Sequence, residues 1–165
     1  MKPKLPIARL RKRRESGNVI VEFALGFFMI FWMFSAMFQL GYAFYGYNNL
    51  LISVRNAARY ASNYPYASAD TTPDSTYSTK VSNMVVYGNP SPASGASPII
   101  AGLATSNVNI SMTGAAAGTN GMQPVSQVTV SIQNFSLDAV FAKIRFNGMP
   151  TATLNYTGIL TPPAN

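Results

Sequence analysis

Phe23–Phe38 reads FALGFFMIFWMFSAMF, a run of apolar side chains interrupted only by Gly26 and Ser35. No residue from Phe23 to Val54 carries a charge, and no proline breaks the stretch. Seven of the ten phenylalanines lie between Phe23 and Phe44. About 20 such residues suffice to cross a bilayer as a helix. Trp32 sits in mid-run, whereas Tyr42, Tyr45 and Tyr47 gather where an interfacial aromatic belt is expected. A core helix of a water-soluble protein shows a polar face, and this run has none. It reads as a membrane helix. A cleaved signal peptide competes for the same position, but it wants a short apolar region followed by a small-x-small site, and this run is too long and too aromatic.

The charge flanking the run sets its direction. Lys2, Lys4, Arg9, Arg11, Lys12, Arg13 and Arg14 precede it, against Arg55 and Arg59 soon after it. That asymmetry predicts a cytoplasmic N-terminus and places the C-terminal residues outside the cytoplasm. The first 17 residues carry a net +6 and the remaining 148 only +1, out of a total of +7. A nucleic-acid-binding domain spreads basic charge over a folded face, so a leader of this kind speaks against a nucleic-acid partner.

Composition narrows the function further. The chain has 165 residues, of which 10% are charged, and it contains neither histidine nor cysteine. His-dependent triads, His/Cys metal sites, thiol catalysis and disulfides are thereby excluded. The five carboxylates are Glu15, Glu22, Asp70, Asp74 and Asp138, with no close pair suited to acid–base work or to a hard metal ion. No phosphate loop or nucleophile–base pair appears. The expectation is a non-enzymatic protein with no cofactor and no small-molecule substrate.

Glu22 is the position that needs a reason, because it enters the apolar run in Gly17-Asn18-Val19-Ile20-Val21-Glu22-Phe23. A carboxylate there is costly unless it is paired or reaches the headgroups. Snorkelling at the cytoplasmic interface is one reading. The other begins from the order of parts: basic residues, a glycine, four residues, Glu-Phe, then a long apolar helix. This order resembles the processing site of type IV pilins and pseudopilins, whose leader is cut after the glycine by a membrane peptidase. Carried onto this chain, the resemblance implies cleavage after Gly17, a new ammonium on Asn18, and an assembly role for Glu22 and Phe23, the ammonium and carboxylate neutralising each other between adjacent subunits.

The segment is most similar to the TadE-like family of the tight-adherence (Flp) pilus machinery. Val19-Ile20-Val21-Glu22-Phe23-Ala24-Leu25 resembles that family's opening VAVEFAL, and Gly41 with Tyr42 its mid-helix glycine. Val54-Arg55-Asn56-Ala57-Ala58-Arg59-Tyr60-Ala61 resembles its AREGARYA, with both arginines in register. Where the family often has an early proline, this chain reads Phe27-Phe28. The resemblance covers Gly17 to Ser62. It implies a minor pseudopilin-like subunit of the bacterial inner membrane, single-pass, with its C-terminal part periplasmic or extracellular. The implied partners are the membrane, a prepilin-type peptidase, other pseudopilins and pilus assembly proteins. The alternative is a signal-anchored periplasmic binding or adhesion module that keeps its leader.

Helical periodicity continues beyond the run through Leu50 or Leu51, Val54, Ala57 or Ala58, and Ala61. One helix from Asn18 to Ser62 would be about 68 Å long, more than a bilayer needs, and so would extend as a stalk until Pro65. Arg55 and Arg59 share a face at i,i+4, suited to headgroups or to docking of acidic groups. Thr72-Pro73-Asp74 reads as an N-cap with proline at the first helical position, and Gly88-Asn89-Pro90 closes a short helix. Pro90 to Pro98 reads as a loop, and Gly114 to Pro124 as a hairpin connection or mobile loop. Three segments alternate as strands: Val108, Ile110 and Met112; Val128, Val130 and Ile132; and, more weakly, Ala152, Leu154 and Tyr156. Asp138, Lys143 and Arg145 read as solvated charges between the last two. The predicted organisation is a basic leader (1–17), a membrane helix with its extension (18–62), and a small α+β domain (63–165) with an antiparallel sheet of about three strands, wet on one side.

Overall fold

The computed structural model describes residues 12–65, 71–114, 124–139 and 142–158. The leader up to residue 11, Asp70 and most of the 114–124 connection lie outside the described residues. The elements run α1 (Lys12–Asn63), α2 (Ser75–Tyr87), a 3-10 turn (Thr105–Asn107), β1 (Val108–Gly114), β2 (Val125–Ile132), β3 (Phe135–Ala139), β4 (Ala142–Phe146) and β5 (Thr151–Asn155). The architecture is α+β. The chain divides into two units, Met1–Gly41 and Tyr42–Asn165, and the division falls inside α1.

The second unit is built around the apolar stripe of the last turns of α1. Leu50, Val54, Ala57, Ala58 and Ala61 are fully buried, at the three- and four-residue steps of one helix face. Small alanines at three of these positions let other elements approach the helix closely. Tyr77, Val81, Val85 and Val86 of α2 and Val128, Val130 and Ile132 of β2 join the same core. Asp74 caps α2, its carboxylate accepting the Tyr77 N–H at 2.7 Å, and Gly88 ends the helix in the left-handed region at φ 69°. Pro73 therefore precedes the cap. The proline expected at the first helical position instead stands two positions earlier, before the cap, because the Asp74 carboxylate and not Thr72 takes the capping role.

The sheet has the order β1-β2-β5, both pairings antiparallel, with a register shift between Thr113 and Gly114. These are the three expected strands. Leu154 differs from expectation: it stands beside buried Val128 yet is 36% exposed, because β5 is the sheet edge. A separate two-stranded sheet, β3–β4, occupies the stretch read only as solvated charges. Phe135, Leu137, Ile144 and Phe146 alternate there with Ser136, Asp138, Lys143 and Arg145. The charges do face solvent, and Lys143 and Asp138 pair across the hairpin at 3.5 Å. Such an exposed pair contributes little to stability.

The end of α1 is tied down by distant parts of the chain. The Tyr77 hydroxyl donates to the Ala61 carbonyl at 2.6 Å, the Thr157 N–H to Ser62 at 2.9 Å, and the Tyr156 hydroxyl to Tyr64 at 2.9 Å. Carbonyls in the last turn of a helix have no partner within it, so these contacts satisfy groups that would otherwise be stranded in a dry place.

Gly46 is buried on α1, and a Cβ placed there would overlap the Leu137 side chain of β3. The missing side chain is what lets the hairpin close onto the helix. Gly46→Ala is expected to destabilise the native chain, although alanine favours a helix by about 1 kcal/mol over glycine. In a Leu137→Ala background the overlap is gone, and the same substitution is expected to stabilise. Urea titrations of the four detergent-solubilised chains check this; the same sign in both backgrounds refutes the close approach.

Candidate functional site

Among the described residues, one helix is long and apolar enough to cross a membrane, and its apolar window has no share buried inside the protein. Sixteen large apolar side chains from Val19 to Leu40 are each 54–75% exposed. Each costs about 1.5–3 kcal/mol in water relative to burial. Together that exceeds the whole stability of a typical domain, about 5–15 kcal/mol. The surface demands lipid or other helices around it.

Two stripes of this helix differ in chemistry. Phe23, Phe27 and Phe31 stack in sequence at centroid spacings of 6.4 Å, and Phe28 meets Trp32 edge-on at 6.3 Å. These aromatic ladders give one side a stiff, bulky relief. Glu22 recurs at helical spacing with Gly26, Met29 and Met33, a side made of one carboxylate, one gap and two adaptable thioethers. Nothing lies within 4 Å of the position a Cβ would take at Gly26. A neighbouring helix can come close beside the carboxylate on that side. The sequence reading singled out Glu22 and Phe23 but neither stripe; the i,i+4 repetition of Phe and Met was the available signal.

Gly17 and Asn18 lie within α1 and are exposed, and the space around Gly17 is open. Both are weak helix formers, glycine by about 1 kcal/mol relative to alanine. Opening the backbone is therefore cheaper here than at a position held by alanine or leucine. Asn18 and Glu22 are one turn apart, on the same face.

In the second unit, Arg55 and Arg59 are exposed, and among the described residues neither has an ion pair. Arg59 borders a concavity of about 450 Å³, with Asn56, Tyr60, Tyr64 and Met84 along its wall, and Arg55 is not among the residues lining it. Tyr60 stacks on Tyr64 at 5.2 Å, and burial raises the Tyr60 hydroxyl pKa above its ordinary value. The Lys80 ammonium donates to the Tyr64 hydroxyl at 2.6 Å, and that hydrogen bond raises the Lys80 pKa. The structure thus separates the two arginines that the sequence treated alike. No group of three or more metal-ligating side chains exists among the described residues.

No curated protein and no solved structure matches the chain. Residues 17–59 match the family model described as TadE-like protein. That interval holds Gly17, Glu22, the aromatic ladders and both arginines, and over it the chain is similar to that family.

Proposed function

We propose that the chain is a Tad pilus-associated membrane protein, anchored by a single helix, that acts as a minor pseudopilin-like structural subunit in pilus assembly. One observation carries this reading: the TadE-like match begins at Gly17 and brackets a carboxylate at the start of a fully exposed apolar helix. The leader is removed after Gly17 by a prepilin-type peptidase, freeing the Asn18 ammonium. In a lone subunit that ammonium sits one helical turn from Glu22 and can pair with it. When helices pack, the open side at Gly26 lets a neighbour's ammonium take its place. The protein resides in the bacterial inner membrane with the unit after Tyr42 outside the cytoplasm, an orientation that the basic leader supports.

Arg59 serves docking of acidic groups on pilus partners. Counted from Phe44, it lies about 22 Å along the helix axis, whereas the headgroup layer on one side spans only about 5–8 Å. Lipid headgroups are out of its reach when Phe44 marks the edge of the apolar layer.

N-terminal sequencing of the protein from its native membrane tests the central step. Asn18 as first residue is the expected result. An intact Met1 would identify the chain as an unprocessed anchored module instead.

A further inference from the structure

We propose that the outer edge of β5 pairs antiparallel with β5 of a second copy of this chain, centred on Thr153. The Ile132 N–H donates to the Pro150 carbonyl at 3.2 Å and the Tyr156 N–H to the Ser126 carbonyl at 2.9 Å. With the printed register, these bonds turn the backbone groups of Ala152 and Leu154 toward β2. The backbone groups of Thr151, Thr153 and Asn155 therefore face away from it. The Thr129 and Thr153 hydroxyls, 2.8 Å apart, mark the close, non-hydrogen-bonded type of pair that this alternation requires. Among the described residues no strand pairs with this edge, and all three outward-facing residues are exposed.

Natural sheets guard such an edge with charge, proline, a bulge or a covering element. Thr151–Asn155 has no charged residue and no proline, and its register with β2 is unbroken. β1, the other edge, is bulged at Thr113/Gly114 and has α2 against it. The unguarded edge is also where an apolar side chain of the core face, Leu154, is left partly uncovered.

Self-pairing fits this strand in three respects. A two-fold axis at Thr153 sets Thr153 against its own copy and Thr151 against Asn155, so every outward-facing group meets an outward-facing group without a slip. The same register sets Ala152 beside Leu154 of the other copy, small against large, and covers the exposed leucine. The edge is neutral, so two copies bring no like charges together. Anchoring in one bilayer raises the effective concentration of the two edges. The pairing does not depend on leader removal, so it stands or falls apart from the processing proposed above.

The chain contains no cysteine, so introduced thiols read out the contact in full-length protein in native membranes. Across the axis, the two copies of residue 153 would have Cα atoms about 5.5 Å apart, within disulfide range. Two copies of residue 151 would be about 14 Å apart, out of range. Under copper-phenanthroline oxidation, Thr153→Cys is expected to give a disulfide-linked homodimer, and Thr151→Cys alone about fivefold less or none. A chain carrying both Thr151→Cys and Asn155→Cys should dimerise again. Adding Thr153→Pro to that chain should abolish the dimer yet leave the fold protease-resistant, because the Thr153 N–H makes no bond to β2. If the proline chain loses its protease resistance, the positional pattern of the cysteines decides alone. Monomeric Thr153→Cys, equal cross-linking at 151 and 153, or cross-linking to a different protein would each overturn the proposal.

Discussion

Gly17→Val is expected to accumulate in the membrane as full-length precursor, with the mature form lost. The substitution does not disturb the folded chain, since nothing lies within 4 Å of the new Cβ and the position is exposed. It also barely changes the cost of opening the helix, because valine is itself a poor helix former. A block must therefore arise in the peptidase, where a branched side chain keeps the scissile backbone from the catalytic groups. Gly17→Ala separates the two effects. Alanine strengthens the helix by about 1 kcal/mol, which would slow cleavage about fivefold if opening were limiting. If close approach is limiting, valine blocks far more strongly than alanine. The ratio of precursor to mature protein on immunoblots reads both. Normal-sized mature protein from the valine chain would remove Gly17 from the processing site.

What the sequence disclosed and what it hid divide along separation in the chain. The apolar run is a local pattern, and so are the alternations of β1 and β2. The β3–β4 hairpin was legible in the same way, as Phe135, Leu137, Ile144 and Phe146 alternate with polar residues. Its charges masked it, because Asp138 and Lys143 read as loop residues until they are set opposite each other across a turn. The closure of α1 was not legible. Tyr77, Tyr156 and Thr157 reach carbonyls 16, 92 and 95 residues away, and no spacing rule pairs groups so distant. The same holds for the Arg59 concavity, whose wall acquires its charge neighbour only when Lys80 of α2 meets Tyr64 beyond the end of α1. Exposure of Leu154 was hidden for a different reason. Alternation assigns a residue to a face of a sheet, but not to its middle or its edge.

Glu22→Gln is expected to insert and be cleaved like the native chain, yet to fail in pilus assembly. Removing a carboxylate from an apolar run eases transfer into lipid, so insertion gains if it changes at all. Glutamine keeps the length and shape of the side chain, and so preserves the relief of the side of α1 that Glu22 shares with Gly26, Met29 and Met33. What disappears is the charge that, on the proposed processing, neutralises an Asn18 ammonium. A charge-assisted hydrogen bond near the interface contributes about 1–3 kcal/mol. That corresponds to a fall of about 5- to 150-fold in incorporation, without unfolding the subunit. Glu22→Asp restores the charge on a shorter arm and should recover part of the loss, whereas a role in packing alone would favour glutamine over aspartate. Pilus counts by electron microscopy and co-purification of partner subunits with the tagged chain provide the two measurements. Wild-type values in both for Glu22→Gln would leave Glu22 as a carboxylate that reaches back to the headgroups, with no part in holding helices together.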